Sequence, residues 1–252
     1  LSRKSDFTPP LPLSIKGRED ERRRKKVSAP NYIFNYVTYK KVTLILAALC
    51  RDDICVCADT RYVDQKWPNG FKDGFDKIYK FEFYPLIVLN HGVNKFNGKY
   101  WNDYCEEYEK SYSWRGKNLK LISKDFRAFI ENIILQQLEF NAEHWPNDSE
   151  VGKTGFALCG KNSENNNFEM HEFFWNPDYK YDLWSGVRLN GFGTGYDEYL
   201  KNDINNFVNW NNFNRIQIKE ELVRLFSIAK KKKNLKNGRE FSDDFTIKSL
   251  LE

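Results

Sequence analysis

The sequence predicts an α+β fold of two antiparallel sheets carrying helices on their outer faces. Three observations support this. Apolar stripes of strand length occur in groups of four, three and one, separated by pairs of segments with helical spacing. Strands and helices that are grouped rather than alternated argue against a doubly wound parallel sheet. The first two stripes, Val42–Leu49 and Ile54–Ala58, are apolar at nearly every position, as strands buried on both faces are.

Each element follows in order. The first two stripes are joined at Asp52-Asp53 and read as a hairpin. A loop over residues 63–74 contains the turn Pro68-Asn69-Gly70 and then Gly74. "DKIYKFEFYPLIVLNHG" supplies two more strands, bent at Pro85. "YWNDYCEEYEKSY" and "KDFRAFIENIILQQLEF" place apolar residues such as Phe126, Phe129, Ile130, Ile133, Ile134 and Leu138 at helical spacing. Strands return in "TGFALCGK", "FEMHEFFW" and "SGVRLNGFG". Helices are expected over Asp197–Trp210 and Ile216–Lys231, and a last strand in "DDFTIKSL".

Residues 1–41 differ from the rest. They hold 11 of the 40 Lys+Arg and 4 of the 35 Asp+Glu, a net of +7, which leaves 29 and 31 in residues 42–252, a net of −2. Pro9, Pro10, Pro12 and the run Arg22–Lys26 disfavour a packed core there. The expectation is a disordered extension, either a propeptide or residues upstream of the true start, followed by one domain over 42–252. "NYIFNYVTY" (Asn31–Tyr39) reads as an edge strand or a loose segment. Because the basic charge sits in the tail, no nucleic-acid partner is expected of the body. No run of about 18 apolar residues occurs, so no membrane span is expected. Cys50, Cys55, Cys57, Cys105 and Cys159 show no zinc spacing and read as buried thiols in a reducing cytoplasm.

The most specific residues are those of the hairpin. "TLILAALCRDDICVCADTR" resembles the N-terminal hairpin of β-type proteasome subunits. There a threonine opens the first strand, a lysine/aspartate turn follows and the second strand closes on A-D-x-R. Thr43, Arg51-Asp52 and Ala58-Asp59-Thr60-Arg61 take those places without a gap. "KIYKF" resembles the strand that carries the family's lysine, here Lys77. "LNHGVNKF" resembles the strand end whose glycine N–H binds the oxyanion, here Gly92. "FALCGKN" is similar to the later strand ending in G-G-x-D. "GFGTGYDEYL" resembles the G-S-G-S turn that opens a helix, with Thr194 and Tyr196 in the serine positions.

The resemblance covers about 42–252. It implies the four-layer αββα sandwich of N-terminal nucleophile hydrolases. It also implies a homo-oligomeric ring, a peptide or unfolded-protein substrate, no metal or organic cofactor, and an ATPase partner that the sequence does not identify. The implied roles suit the residue types. A threonine hydroxyl is a weak nucleophile and needs a base. If Thr43 is the mature N-terminus, its own α-amine, with a pKa of about 7.7–8.0, serves. Lys77 would stabilise the alkoxide, Asp59 would orient Lys77, Gly92 would donate to the oxyanion, and Thr194 would be either a supporting residue or a simple turn residue.

Taken singly, Thr43 is an ordinary residue at a strand start, Asp59 a strand-end cap and Lys77 a solvated lysine. Their order and separation point to chemistry. His91 reads as a strand-end histidine, and His144 and His171 have no Ser or Cys partner at a recognisable spacing. The pattern departs from the family at Val42, where active subunits carry the glycine of the self-cleavage site. Start of translation at Val42, followed by removal of the initiator residue, would expose Thr43 without a propeptide. It departs again before the last strand, where Asn234, Gly238, Ser242 and Asp243 are the candidates to support the amine, and at Tyr196. The alternatives are a non-catalytic subunit of the same fold that retains residues 1–41, and an amidase acting on small amides.

Overall fold

A computed structural model describes residues 43–63, 70–111, 117–144, 154–175, 180–185, 188–202, 204 and 210–252. All lie in one compact unit, Tyr39–Glu252. The expectations for residues 1–41 fall outside the described residues.

The strands are β1 (Ile45–Leu49), β2 (Ile54–Asp59), β3 (Tyr62–Val63), β4 (Phe71–Lys72), β5 (Ile78–Lys80), β6 (Leu86–Gly92), β7 (Lys95–Phe96), β8 (Lys99–Tyr100), β9 (Thr154–Lys161), β10 (Phe168–Trp175), β11 (Lys180–Ser185), β12 (Arg188–Phe192) and β13 (Phe245–Ser249). The helices are α1 (Trp101–Ser111), α2 (Leu119–His144), α3 (Thr194–Tyr199) and α4 (Arg215–Leu235), with a 3₁₀ turn at Trp210–Asn212. Two main sheets form, in the orders β12-β1-β2-β13 and β11-β10-β9-β6-β5, and every pairing in them is antiparallel. The chain is therefore an α+β protein with two antiparallel sheets.

Strand periodicity sorts the core into three clusters. Ile45, Ala47 and Leu49 of β1 meet Ile87 and Leu89 of β6 and Ala157 and Cys159 of β9. The alternate residues Leu46 and Ala48 pack with Cys55 and Cys57 of β2 against Leu222, Leu225 and Phe226 of α4. Leu86 and Val88 of β6 and Phe156 and Leu158 of β9 pack against Tyr104, Ile122, Phe126 and Ile130 of α1 and α2. β1 and β2 are buried on both faces, which is why they read as continuous apolar runs. The five cysteines are all buried and form no disulfide.

Local chemistry sets the ends of the elements. At the β1–β2 turn the Cys50 N–H donates to the Asp53 carbonyl at 2.9 Å, and Asp53 Oδ1 accepts from Ile54 N at 2.7 Å. Asn214 and Gln217 form a reciprocal capping box at the start of α4. β11 was not expected. Among the described residues it is an edge strand paired only with β10, and its mixed composition leaves no apolar stripe. α3 begins at Thr194 rather than at Asp197, because the preceding glycine turn already opens it. Part of the segment then expected to be helical, residues 203 and 205–209, lies outside the described residues. No helix among the described residues is long and apolar enough to cross a membrane.

Candidate active site

The β1–β2 hairpin brings Thr43 and Asp59 together. Ile45 pairs with Ala58, so the two residues before β1 lie beside the end of β2. The Asp59 N–H donates to the Leu44 carbonyl at 2.9 Å, and the Leu44 N–H donates to Asp59 Oδ2 at 2.7 Å. Lys77 arrives from the other sheet, directly before β5. Lys248 of β13 helps to hold it there, donating to the Ile78 carbonyl at 2.7 Å and pairing with Asp76 at 2.5 Å.

Lys77 Nζ lies 2.9 Å from Asp59 Oδ2 and 3.2 Å from Thr43 Oγ1. Thr43, Asp59 and Lys77 are all buried, at 3%, 0% and 1% exposure. Asp59 Oδ1 accepts from the Arg61 N–H at 2.9 Å and the Ser242 N–H at 3.4 Å. Four donors thus fix both carboxylate oxygens. Burial pushes the Lys77 ammonium below its ordinary range, and the Asp59 charge and hydrogen bond oppose that shift.

The Gly193–Gly195 turn closes over the Thr43 carbonyl, which accepts from the Gly195 N–H at 3.0 Å. Gly193 has φ 82°, and a Cβ there would lie 2.4 Å from the Thr43 carbonyl oxygen. Only glycine meets both demands. Thr194 is the first residue of α3. The Tyr196 ring lies over Gly191 of β12, where an added Cβ would come within 1.9 Å of it. The bulk of Tyr196 is thus accommodated against a strand glycine.

Gly92 ends β6 with φ 91°, in register with Thr154 of β9. Beside it, the His91 ring stacks on Phe192 at 5.3 Å and lies 3.4 Å from Glu172. His171 is buried 3.2 Å from Glu169, and burial lowers its pKa. The structure draws Thr43, Asp59 and Lys77 into one hydrogen-bonded group, with Thr194 in the turn against it. Gly92 and His91 end a strand of the opposite sheet.

Of the four candidates before the last strand, Ser242 reaches the group. Its N–H meets Asp59, and its hydroxyl lies 2.9 Å from the Thr60 hydroxyl. Asp243 faces Lys233 instead, at 2.7 Å. Gly238 packs against Glu240 and Tyr199, and Asn234 lies in the last turn of α4.

Sequence reasoning gave no role to Arg61. Its guanidinium makes two bonds to Asp73, at 2.7 and 2.8 Å, donates to the Arg239 carbonyl at 2.7 Å and lies 3.8 Å over the Phe71 ring. It ties the end of β2 to the loop leading into Lys77 and to the segment before Ser242. Its place in the A-D-T-R motif was the available signal. Among the described residues no group of three or more His, Cys, Asp or Glu could hold a metal.

No protein-family model and no curated protein matches the chain. Solved structures do. Anbu (ancestral beta-subunit) from Yersinia bercovieri is 9% identical with a TM-score of 0.57, covering 82% of this chain and 81% of that one. The Anbu complex from Pseudomonas aeruginosa, a helical assembly, is 9% identical with a TM-score of 0.59, covering 82% and 80%. Anbu from Hyphomicrobium sp. strain MC1 is 11% identical with a TM-score of 0.54, covering 81% and 80%. These likenesses correct the resemblance to β-type proteasome subunits, since Anbu is a distinct family with a proteasome-like fold. The physical reason lies in what carried the resemblance. The hairpin and "KIYKF" hold the residues that assemble a Thr–Asp–Lys group, so they mark that geometry rather than one family that contains it. The chain has the proteasome-like fold seen in the Anbu structures.

Proposed function

We propose that this chain is a threonine-type hydrolase of proteasome-like fold that cleaves amide bonds in peptides or unfolded protein. In this reading the sheets and helices form the four-layer αββα sandwich of N-terminal nucleophile hydrolases. The observation that carries it is the buried contact of Lys77 Nζ with both Thr43 Oγ1 and Asp59 Oδ2. Thr43 Oγ1 attacks the substrate carbonyl and passes its proton to the Thr43 α-amine. Lys77 offsets the charge on the oxygen, and Gly92 N–H receives the oxyanion. Collapse expels the leaving amine, which takes the proton and leaves an ester on Thr43. Water, deprotonated by the same α-amine, then releases the acid and restores the hydroxyl. Every proton is handled by the α-amine, so the reading requires Thr43 to be the mature N-terminus.

The proposed form is a cytoplasmic homo-oligomer that acts without a cofactor. The repeated contact would be heterologous, closing as a ring or running on as a helix according to its rotation. Intact mass of the natively expressed protein, with a peptide panel and a Thr43→Ala control, tests the function. The expected result is a chain beginning at Thr43 and cleavage that Thr43→Ala abolishes. Cleavage confined to small amides would mark an amidase.

One observation favours a second reading, a non-catalytic assembly subunit. Val42 stands before Thr43, and a β-branched residue hinders the tight geometry of self-cleavage. A mature chain that retains residues 1–41 decides for that reading.

A further inference from the structure

The buried stripe of α4 ends on a charge. Ile218, Leu222, Leu225, Phe226 and Ala229 face the four-stranded sheet, and Lys233 continues the stripe at 3% exposure. An ammonium there is costly unless it is paired and hydrogen-bonded. Lys233 Nζ donates to the Phe241 carbonyl at 2.8 Å and to Asp243 Oδ1 at 2.7 Å, and it lies 4.5 Å from the centre of the Phe241 ring. Lys230 approaches the other Asp243 oxygen at 3.7 Å. The Lys233 hydrogen bond is the main cause that holds the Asp243 carboxyl below its ordinary range.

The segment Lys233 grips touches the Thr43 group on two sides. Ser242 N–H donates to Asp59 Oδ1, and Ser242 Oγ bonds with Thr60. The Phe241 ring packs on Gly195, where an added Cβ would lie 2.8 Å from Phe241 Cδ1. Gly195 N–H is the donor to the Thr43 carbonyl.

We propose that Lys233 is a positioning residue for Thr43, Asp59 and Lys77. By anchoring Phe241–Asp243 it fixes one donor to Asp59 and the packing behind the Thr43 carbonyl. The proposal rests on the reading of Thr43 as nucleophile. The charges facing Lys77 are Asp59 at the end of β2, Arg61 just after it and Asp73 just after β4, together with the Thr43 α-amine once it is free. Lys233 acts on Lys77 through Ser242 and Asp59.

The test compares wild-type protein with Lys233→Met, Lys233→Arg and Asp243→Asn. It measures kcat, KM, the alkaline limb of the pH–rate profile, and the Lys77 titration by NMR of ¹⁵N-labelled lysine. In Lys233→Met, kcat is expected to fall about 10- to 100-fold, as for misplacement from outside the reacting atoms, with KM little changed. Asp59 is held less firmly, so the alkaline limb and the Lys77 titration move to lower pH. Lys233→Arg restores part of both.

Simple loss of a nearby positive charge would move the Lys77 titration to higher pH. That direction, or wild-type kcat and an unmoved titration in a folded Lys233→Met, overturns the proposal. If Lys233→Met does not fold, Asp243→Asn is read instead. It removes one of two anchors at a half-exposed site. A smaller fall in kcat with KM little changed is expected, and a wild-type kcat overturns the proposal. Its titration shift does not decide, because loss of a negative charge alone would lower the Lys77 value. If wild-type protein shows no turnover that depends on Thr43, the hydrolase reading fails. The Lys77 titration then still decides the positioning role, because an unmoved value overturns it.

Discussion

Lys77 and Asp59 form an ion pair sealed from solvent, 2.9 Å apart, and the two partners are not equally supported. Asp59 also accepts from three backbone N–H groups, those of Leu44, Arg61 and Ser242. Lys77 Nζ bonds to the side chains of Asp59 and Thr43. Removing one partner of a buried pair strands the other. Asp59→Ala is therefore expected to cost about 3–5 kcal/mol and to abolish turnover. Lys77→Met is expected to abolish turnover with a smaller loss of stability, since backbone donors still solvate Asp59. Urea denaturation of both variants checks the order. A larger loss in Lys77→Met would contradict it.

The lowered Lys77 pKa sets the sign of two pH effects. If Thr43 is the mature N-terminal nucleophile, as proposed, turnover is expected to rise as its α-amine loses a proton, near the ordinary pKa of about 7.7–8.0. It falls as Lys77 loses its own, at a pH below the ordinary lysine value of 10.5. For stability, the unfolded chain keeps the Lys77 proton up to that ordinary value while the fold has already released it. Stability from this group therefore rises with pH between the folded and ordinary values, and is lost as pH falls through the folded one. A pH–rate profile whose alkaline limb lies at or above 10.5 would disprove the assignment.

How much of this was legible in the sequence depends on how each contact is made. Thr43 and Asp59 meet through a tight antiparallel hairpin, which converts sequence separation directly into register. Strand grouping was legible because strands buried on both faces leave apolar runs, and β11 escaped because an edge strand need not. The contacts of Ser242 with Asp59 and of Gly195 with Thr43 span far larger separations, and no local pattern encodes such an approach. Lys233 sits in the run Lys230–Lys233, which reads as a solvated face. Only its helical phase, four residues after Ala229 and seven after Phe226, set it apart from its neighbours.

Gly193 is expected to tolerate no side chain. Its φ of 82° is unfavourable for other residues by roughly 1–2 kcal/mol, and the Cβ would meet the Thr43 carbonyl oxygen at 2.4 Å. That contact cannot be relieved by turning a side chain, because both partners are backbone or Cβ atoms. Gly193→Ala should lose more than the strain alone and should displace Thr43, lowering kcat by about 100-fold. The control is Gly74→Ala, which has a similar φ of 97° with nothing within 4 Å of the new Cβ. It should lose the strain alone and leave kcat near wild type.

Arg61 offers a test of geometry against charge. A lysine there keeps the positive charge but not the planar fork, so it cannot hold both Asp73 oxygens and the Arg239 carbonyl while lying flat on Phe71. The Arg61 backbone N–H that donates to Asp59 is unaffected by the substitution, so any effect on turnover must pass through the loop leading into Lys77 or the segment before Ser242. Arg61→Lys is expected to lower stability by about 1–3 kcal/mol and kcat by about tenfold. Asp73→Asn should reproduce most of the loss, since it weakens the same fork from the other side. Additive losses in the double variant would mean that the two residues act separately. A double variant no worse than the more severe single variant is the expected outcome.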